Sequence, residues 1–134
     1  ALRRTFADEP RVRVAPVDQA RGEQADLVLL DEPCSNTGVL ARRPEARWRL
    51  SERSLEELGK LQRELLMDGL NWLRPGGRLV YSTCSLEPEE NRQVVDYAVN
   101  RRHGQARLLS DKLVLPSAQN DHDGAYWAIL ERVR

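Results

Sequence analysis

Apolar positions along the chain fall into two different rhythms. Ala25 to Leu30 is a short apolar run, apolar enough to predict a strand buried on both faces, and it ends at Asp31. Ser54 with Glu57 forms a capping box, and Leu58, Leu61, Leu65, Leu66, Leu70 and Leu73 give a helical stripe that Pro75-Gly76-Gly77 stops. Arg78 to Ser82 is again β-rich, so strand, helix and strand predict a right-handed crossover with parallel strands. Pro88 suits a first helical turn, with Glu89 and Glu90 complementing the dipole and Val94, Val95, Ala98 and Val99 facing inward. Further on, Arg107-Leu108-Leu109 and Lys112 to Leu115 read as two brief strands, and Asp121 to Gly124 as a turn into a strand from Ala125 to Leu130. Before the first confident strand, Leu2 to Phe6 reads as the tail of a helix and Val12 to Val17 as a short strand ending at Asp18, kept near an edge by Pro16. Strands alternating with helices make an α/β fold, expected as one domain over residues 1–134.

Composition narrows the function classes more than it chooses among them. A chain of 134 residues buries roughly two thirds of its unfolded surface around one core. Acids and bases balance at 21 each, so no global field announces a nucleic-acid partner and any such partner must be read locally. Nineteen of the bases are Arg, which suits phosphate forks but also follows from a GC-rich genome. Two cysteines without a signal peptide lead to the expectation of a reducing, cytoplasmic setting, and no apolar run approaches the ~20 residues of a membrane span. His103 and His122 lie far from either cysteine and there is no C-x-x-C, which argues against a metal site.

The candidate chemistry sits where strands end. Asp31-Glu32-Pro33-Cys34-Ser35-Asn36-Thr37-Gly38 follows the first apolar run, and Thr83-Cys84-Ser85 follows the second. Open α/β sheets keep ligands at the carboxyl ends of their strands, so both cysteines are placed for a site. A carboxylate and two thiols suit attack on a pyrimidine: a thiolate adding at carbon 6 makes carbon 5 nucleophilic towards a methyl group. An acid on ring nitrogen 3 would stabilise the developing charge. The second thiol could help to eliminate the first. Asp31, Cys84 and Cys34 are the candidates. Each has a plainer alternative, since a free cysteine often behaves as a small hydrophobe and Asp31 could cap a helix. Arg42, Arg43, Arg47, Arg49 and Arg53 around Trp48 could track a phosphate backbone and stack on a base, or be a solvated loop that Trp48 anchors to the core.

The stretches DEPCSNTGVLARRPEARWRL and LRPGGRLVYSTCSLEPEEN resemble the Sun/Fmu family of RNA (cytosine-5) methyltransferases, especially its bacterial branch acting on small-subunit ribosomal RNA. The resemblance runs from about Val12 to the end, strongest from Asp26 to Val95. It implies a Rossmann-like fold dependent on S-adenosylmethionine and present in part, with Cys84 as nucleophile and Cys34 aiding release. It further implies that Asp31 contacts the base and, with Pro33, the cofactor region, and that Asp18 holds the adenosine part; with an RNA substrate, Arg42, Arg43, Arg47, Trp48 and Arg49 are the residues expected to contact it. Two departures stand out. Glu32 occupies a position that is small or apolar in the family, and strand alternation turns it away from Asp31. The chain also lacks the family's glycine-rich loop and second-strand acid, expected to lie upstream of Ala1. Loss of the strands that normally separate Val12–Val17 from the Asp26 strand leads to the expectation that these two pair directly or that a homodimer covers the edge. Two alternatives stay open: an RNA-binding protein without catalysis, and a DNA cytosine methyltransferase in which Cys34 attacks.

Overall fold

The structure is a computed structural model and describes residues 5–6, 9–16, 19 and 23–134. Its elements run in the order β1 (Ala25–Asp31), α1 (Glu52–Trp72), β2 (Leu73–Thr83), α2 (Arg92–Arg101), β3 (Ala106–Val114) and β4 (Ala125–Arg132), with 3-10 turns at Thr37–Val39 and Pro44–Trp48 between β1 and α1. One four-stranded sheet has the order β1-β2-β4-β3. β1 and β2 are parallel, with Leu27 opposite Arg78 and Asp31 opposite Ser82, as a helix-linked crossover requires. β4 enters between β2 and β3, antiparallel to both.

The core lies on one face of the sheet. Val28, Leu79, Tyr81, Tyr126, Ala128 and Leu130 meet Leu66 and Leu70 of α1 and Val94, Val95 and Ala98 of α2. Gly69 lets α1 press onto the sheet: a Cβ there would stand 2.8 Å from Cδ1 of both Leu30 and Leu79.

Several expectations need correction. β1 is not buried on both faces, because Leu27 is 56% and Leu29 71% exposed; strand alternation leaves its second face open. α1 is capped by Ser51, whose hydroxyl accepts from Ser54 N at 3.1 Å while Ser54 Oγ accepts from Ser51 N at 2.8 Å, so the box begins three residues earlier than Ser54. Its buried stripe is Gly59, Gln62, Leu66, Gly69 and Leu70, and Leu61 is exposed. α2 begins at Arg92, after a turn at 88–91, and Glu90 points into the interior instead of serving the dipole. The two brief strands after residue 105 are one strand, β3, whose register shift between Leu108 and Ser110 interrupts the alternation. Residues 12–16 form no strand and lie outside the sheet, so no direct pairing with β1 occurs among the described residues. Most of the Leu2–Phe6 reading, together with Val17 and Asp18, falls outside the described residues.

Candidate active site

The parallel pairing of β1 and β2 brings their exit loops side by side. Glu32 N donates to Ser82 O at 3.0 Å, extending the ladder one residue beyond Asp31, and Gly38 N donates to Cys84 O at 2.9 Å. Gly124 N in turn donates to Gly38 O at 2.7 Å. This three-loop crossing needs a glycine, since a Cβ on Gly38 would lie 2.5 Å from Gly124 O and 2.8 Å from Cys84 O.

The result is a pair of thiols. Cys34 Sγ and Cys84 Sγ are 3.1 Å apart and both are partly exposed. Burial, followed by the hydrogen bond with Cys84, pushes the Cys34 thiol well above its ordinary range, so Cys34 stays protonated. Asn36, in the left-handed region at φ 64°, touches both loops: its Nδ2 donates to Cys34 O at 2.8 Å and its Oδ1 accepts from the Cys84 thiol at 3.1 Å. Its role escaped the sequence reading, although Asn is one of the few residues that tolerate this conformation, and Ser-Asn-Thr-Gly reads as a turn.

Asp31 is exposed at the carboxyl end of β1, with a long contact of 3.5 Å from Ser82 Oγ. Glu32 turns the other way, as alternation requires, and is only 6% exposed. Neither of its carboxylate oxygens meets a hydrogen-bond partner among the described residues. Burial and, secondarily, the Asp31 charge raise its pKa to about 7.

A cleft of about 150 Å³ opens beside Cys34, lined among others by Asn36, Arg43, Arg49, Leu50 and Leu58. Arg47 stacks over Trp48 at 4.9 Å from the ring centroid, and Trp48 is 79% exposed. Trp48 therefore does not anchor the loop; the buried residue of that turn is Ala46. Arg42 instead pairs with Asp123 at 2.9 Å and stands 4.0 Å from Asp121. The expected arginine group thus divides into one cation tied to the 121–124 turn, two beside the cleft, one on an exposed aromatic shelf, and Arg53, which pairs with Glu57 one turn along α1 at 2.9 Å. Among the described residues there is no group of three or more His, Cys, Asp or Glu placed to hold a metal, and no helix long and apolar enough to cross a membrane.

Comparison with known proteins places the chain in a family. The profile of the family described as 16S rRNA methyltransferase RsmB/F matches residues 10–130. The chain belongs to that family. Among RsmB/F relatives, ribosomal RNA small subunit methyltransferase B of Shewanella oneidensis is 41% identical over 121 residues, which cover 82% of this chain and 28% of the relative. Its Vibrio cholerae counterpart is 42% identical over 117 residues, covering 84% and 27%. The chain spans less than a third of the length of these relatives. Among solved structures, NSun6 from Pyrococcus horikoshii with SFG, an S-adenosylmethionine analogue, superposes with a TM-score of 0.71 at 29% identity, covering 84% of this chain and 31% of that one. A methyltransferase homolog protein from the same organism gives 0.67 at 29% identity, covering 82% and 40%. The fold is thus the Rossmann-like methyltransferase fold in part, and S-adenosylmethionine is the cofactor of the family. The residues here fit one wall of such a site: Asp31 and Pro33 are exposed at the end of β1, beside the open face of Leu27 and Leu29.

Proposed function

We propose that this chain is the part of an RNA (cytosine-5) methyltransferase domain that carries the covalent chemistry, with ribosomal RNA as substrate. The observation that carries the reading is the 3.1 Å approach of Cys34 and Cys84 at the ends of two adjacent parallel strands, next to an exposed Asp31. S-adenosylmethionine, when bound, supplies the electrophilic methyl group. Cys84 attacks as thiolate, its sulfur bonding to carbon 6 of the cytosine, and Asp31 hydrogen-bonds ring nitrogen 3 where charge develops. On release, the proton on carbon 5 passes to a base in solvent and its electron pair forms the 5,6 double bond. The sulfur–carbon 6 bond breaks and Cys84 leaves as thiolate. Cys34, kept protonated by its burial, donates a hydrogen bond to that thiolate. The same burial weighs against the DNA-type alternative, in which Cys34 would attack. Arg43 and Arg49 sit where they can hold phosphates at the cleft mouth, and Trp48 with Arg47 offers a stacking surface for a neighbouring base. Arg42 serves the scaffold.

The test grafts this segment in place of the matching segment of the Shewanella oneidensis relative and follows methyl transfer to ribosomal RNA and adduct survival in denaturing gels. Cys84→Ala loses both transfer and adduct. Cys34→Ala accumulates the adduct, because attack persists while release is impaired. An adduct formed by Cys84→Ala and absent from Cys34→Ala overturns the assignment; RNA binding without transfer or adduct in the unmutated graft favours a purely binding role.

A further inference from the structure

Glu90 is a fully buried acid in the loop before α2. Four donors converge on its carboxylate. Oε1 accepts from Ser35 N at 2.9 Å and from Gln62 Nε2 at 3.1 Å. Oε2 accepts from Ser85 Oγ at 2.5 Å and, through a shorter bond, from Ser35 Oγ. Ser35 directly follows Cys34, and Ser85 directly follows Cys84. One carboxylate therefore ties together the residues that follow the two thiols. It is itself fixed to the sheet, because Tyr81 of β2 donates its hydroxyl to Glu90 O at 2.5 Å. From α1, Gln62 Nε2 also donates to Pro33 O at 2.8 Å, holding the residue just before Cys34.

Stability alone does not ask for this arrangement. Burying a carboxylate carries a large desolvation cost, and apolar groups of similar shape commonly fold as well or better. The aliphatic core, moreover, is assembled from Leu, Val and Ala side chains of the sheet and helices. What the carboxylate adds is geometry: four directed bonds hold two loops from different strands at one separation.

We propose that Glu90 is a positioning residue that sets the distance and orientation of Cys34 and Cys84. The inference rests on the proposed function above, since these are the thiols assigned there to attack and release. Its test, however, reads their separation directly and needs no RNA.

The 134-residue chain is equilibrated with reduced and oxidised glutathione, alkylated, and analysed by mass spectrometry for the intramolecular disulfide. Protein dithiol and oxidised glutathione give protein disulfide and two reduced glutathiones, so the equilibrium constant measures how well the thiols are held together. Sulfurs at 3.1 Å have only about 1 Å to close to reach bonding distance. Glu90→Ala is expected to lower that constant at least about tenfold, roughly 30 mV in potential. Glu90→Gln is expected to stay within about threefold, because its amide oxygen can keep Oε1's two donors while its NH2 group donates to serine hydroxyls able to turn and accept. Circular dichroism and cooperative unfolding check each variant's fold. If Glu90→Ala does not fold, the Ser35→Ala, Ser85→Ala pair takes its place, with the same tenfold loss expected. A folded Glu90→Ala, or that double variant, with an unchanged constant overturns the proposal. Failure of the methyltransferase reading would appear instead as absent transfer and adduct in the graft while the Glu90 dependence of the thiol pair persists.

Discussion

Glu32 imposes a pH dependence on folding whose sign and size follow from its surroundings. Its carboxyl group is buried beside Asp31 with no hydrogen-bond partner among the described residues, and its pKa rises from 4.5 to about 7. In the unfolded chain the group titrates near the ordinary value. Below that value both states are protonated and nothing is lost. Between 4.5 and about 7 the folded state holds the proton more tightly, so unfolding releases it and stability falls as pH rises. Above about 7 the folded state carries a buried charge, and the full destabilisation of about 3 kcal/mol applies, at about 1.4 kcal/mol per tenfold change in proton affinity. Glu32→Gln removes the titration and keeps the shape. The assay is urea denaturation of parent and variant at matched pH from 4 to 8. The stability of Glu32→Gln relative to the parent should rise by about 3 kcal/mol from pH 4 to pH 8, most of it between pH 5 and 7. Comparing the two proteins at each pH cancels the titration of all other groups and any constant cost of burying the amide. A difference that stays flat across this range refutes the reasoning.

Other consequences are checked more simply. Gly38→Ala places a Cβ 2.5 Å from Gly124 O, so it should destabilise the chain by about 2 kcal/mol or more by denaturation and separate the thiols in the glutathione equilibrium. Trp48→Ala should leave the unfolding midpoint unchanged while weakening binding of single-stranded RNA by about 1 to 3 kcal/mol in fluorescence titrations, since the ring is exposed and can stack on one base. β1 is an edge strand with an exposed apolar face among the described residues, which predicts concentration-dependent self-association in sedimentation velocity that Leu29→Lys should abolish. By calorimetry this chain should bind S-adenosylmethionine weakly, because Asp31 and Pro33 supply one wall and no glycine-rich phosphate-type loop occurs in the sequence; micromolar affinity contradicts this.

Period and punctuation carried the sequence reading as far as they could. The apolar run before Asp31, the helical stripe and the β-rich run before Thr83 define a parallel pair because a helix must span between them, and that pairing brings Cys34 and Cys84 to one end of the sheet; the Pro-Gly-Gly stop is misplaced, since the helix ends at Trp72 and Pro75-Gly76-Gly77 lies within β2. What stayed hidden depended on contacts between distant residues. Nothing local distinguishes Glu90, which gathers two loops, from Glu89, which is exposed; both look like acids serving a helix start. Ser51 and Ser54 are both cap-type residues, and only the reciprocal bonds between them show that Ser51 caps the helix while Ser54 closes the box from its third position. A buried β1 was inferred from apolar content, yet alternation permits an open face when nothing packs against it, as at Leu27 and Leu29. Of the two readings open for Trp48, anchoring the loop to the core fails, because the small Ala46 occupies the interior of that turn while Trp48 is exposed.

The position of β4 in the sheet has a temporal consequence. The last of these four strands in chain order lies between β2 and β3, and the glycine just before it closes onto Gly38 beside the thiols. During synthesis, β1, α1 and β2 can emerge and form their crossover while one side of β2 remains unpaired and β3 has no neighbour. Both cysteines have by then been made, but the loop that carries Cys34 is not yet pinned from the far side. Closure of Gly124 onto the loop that follows Cys34 is therefore expected only once residues beyond Gly124 have left the ribosome, and a chain interrupted before Ala125 would lose the seam of its sheet instead of an outer edge.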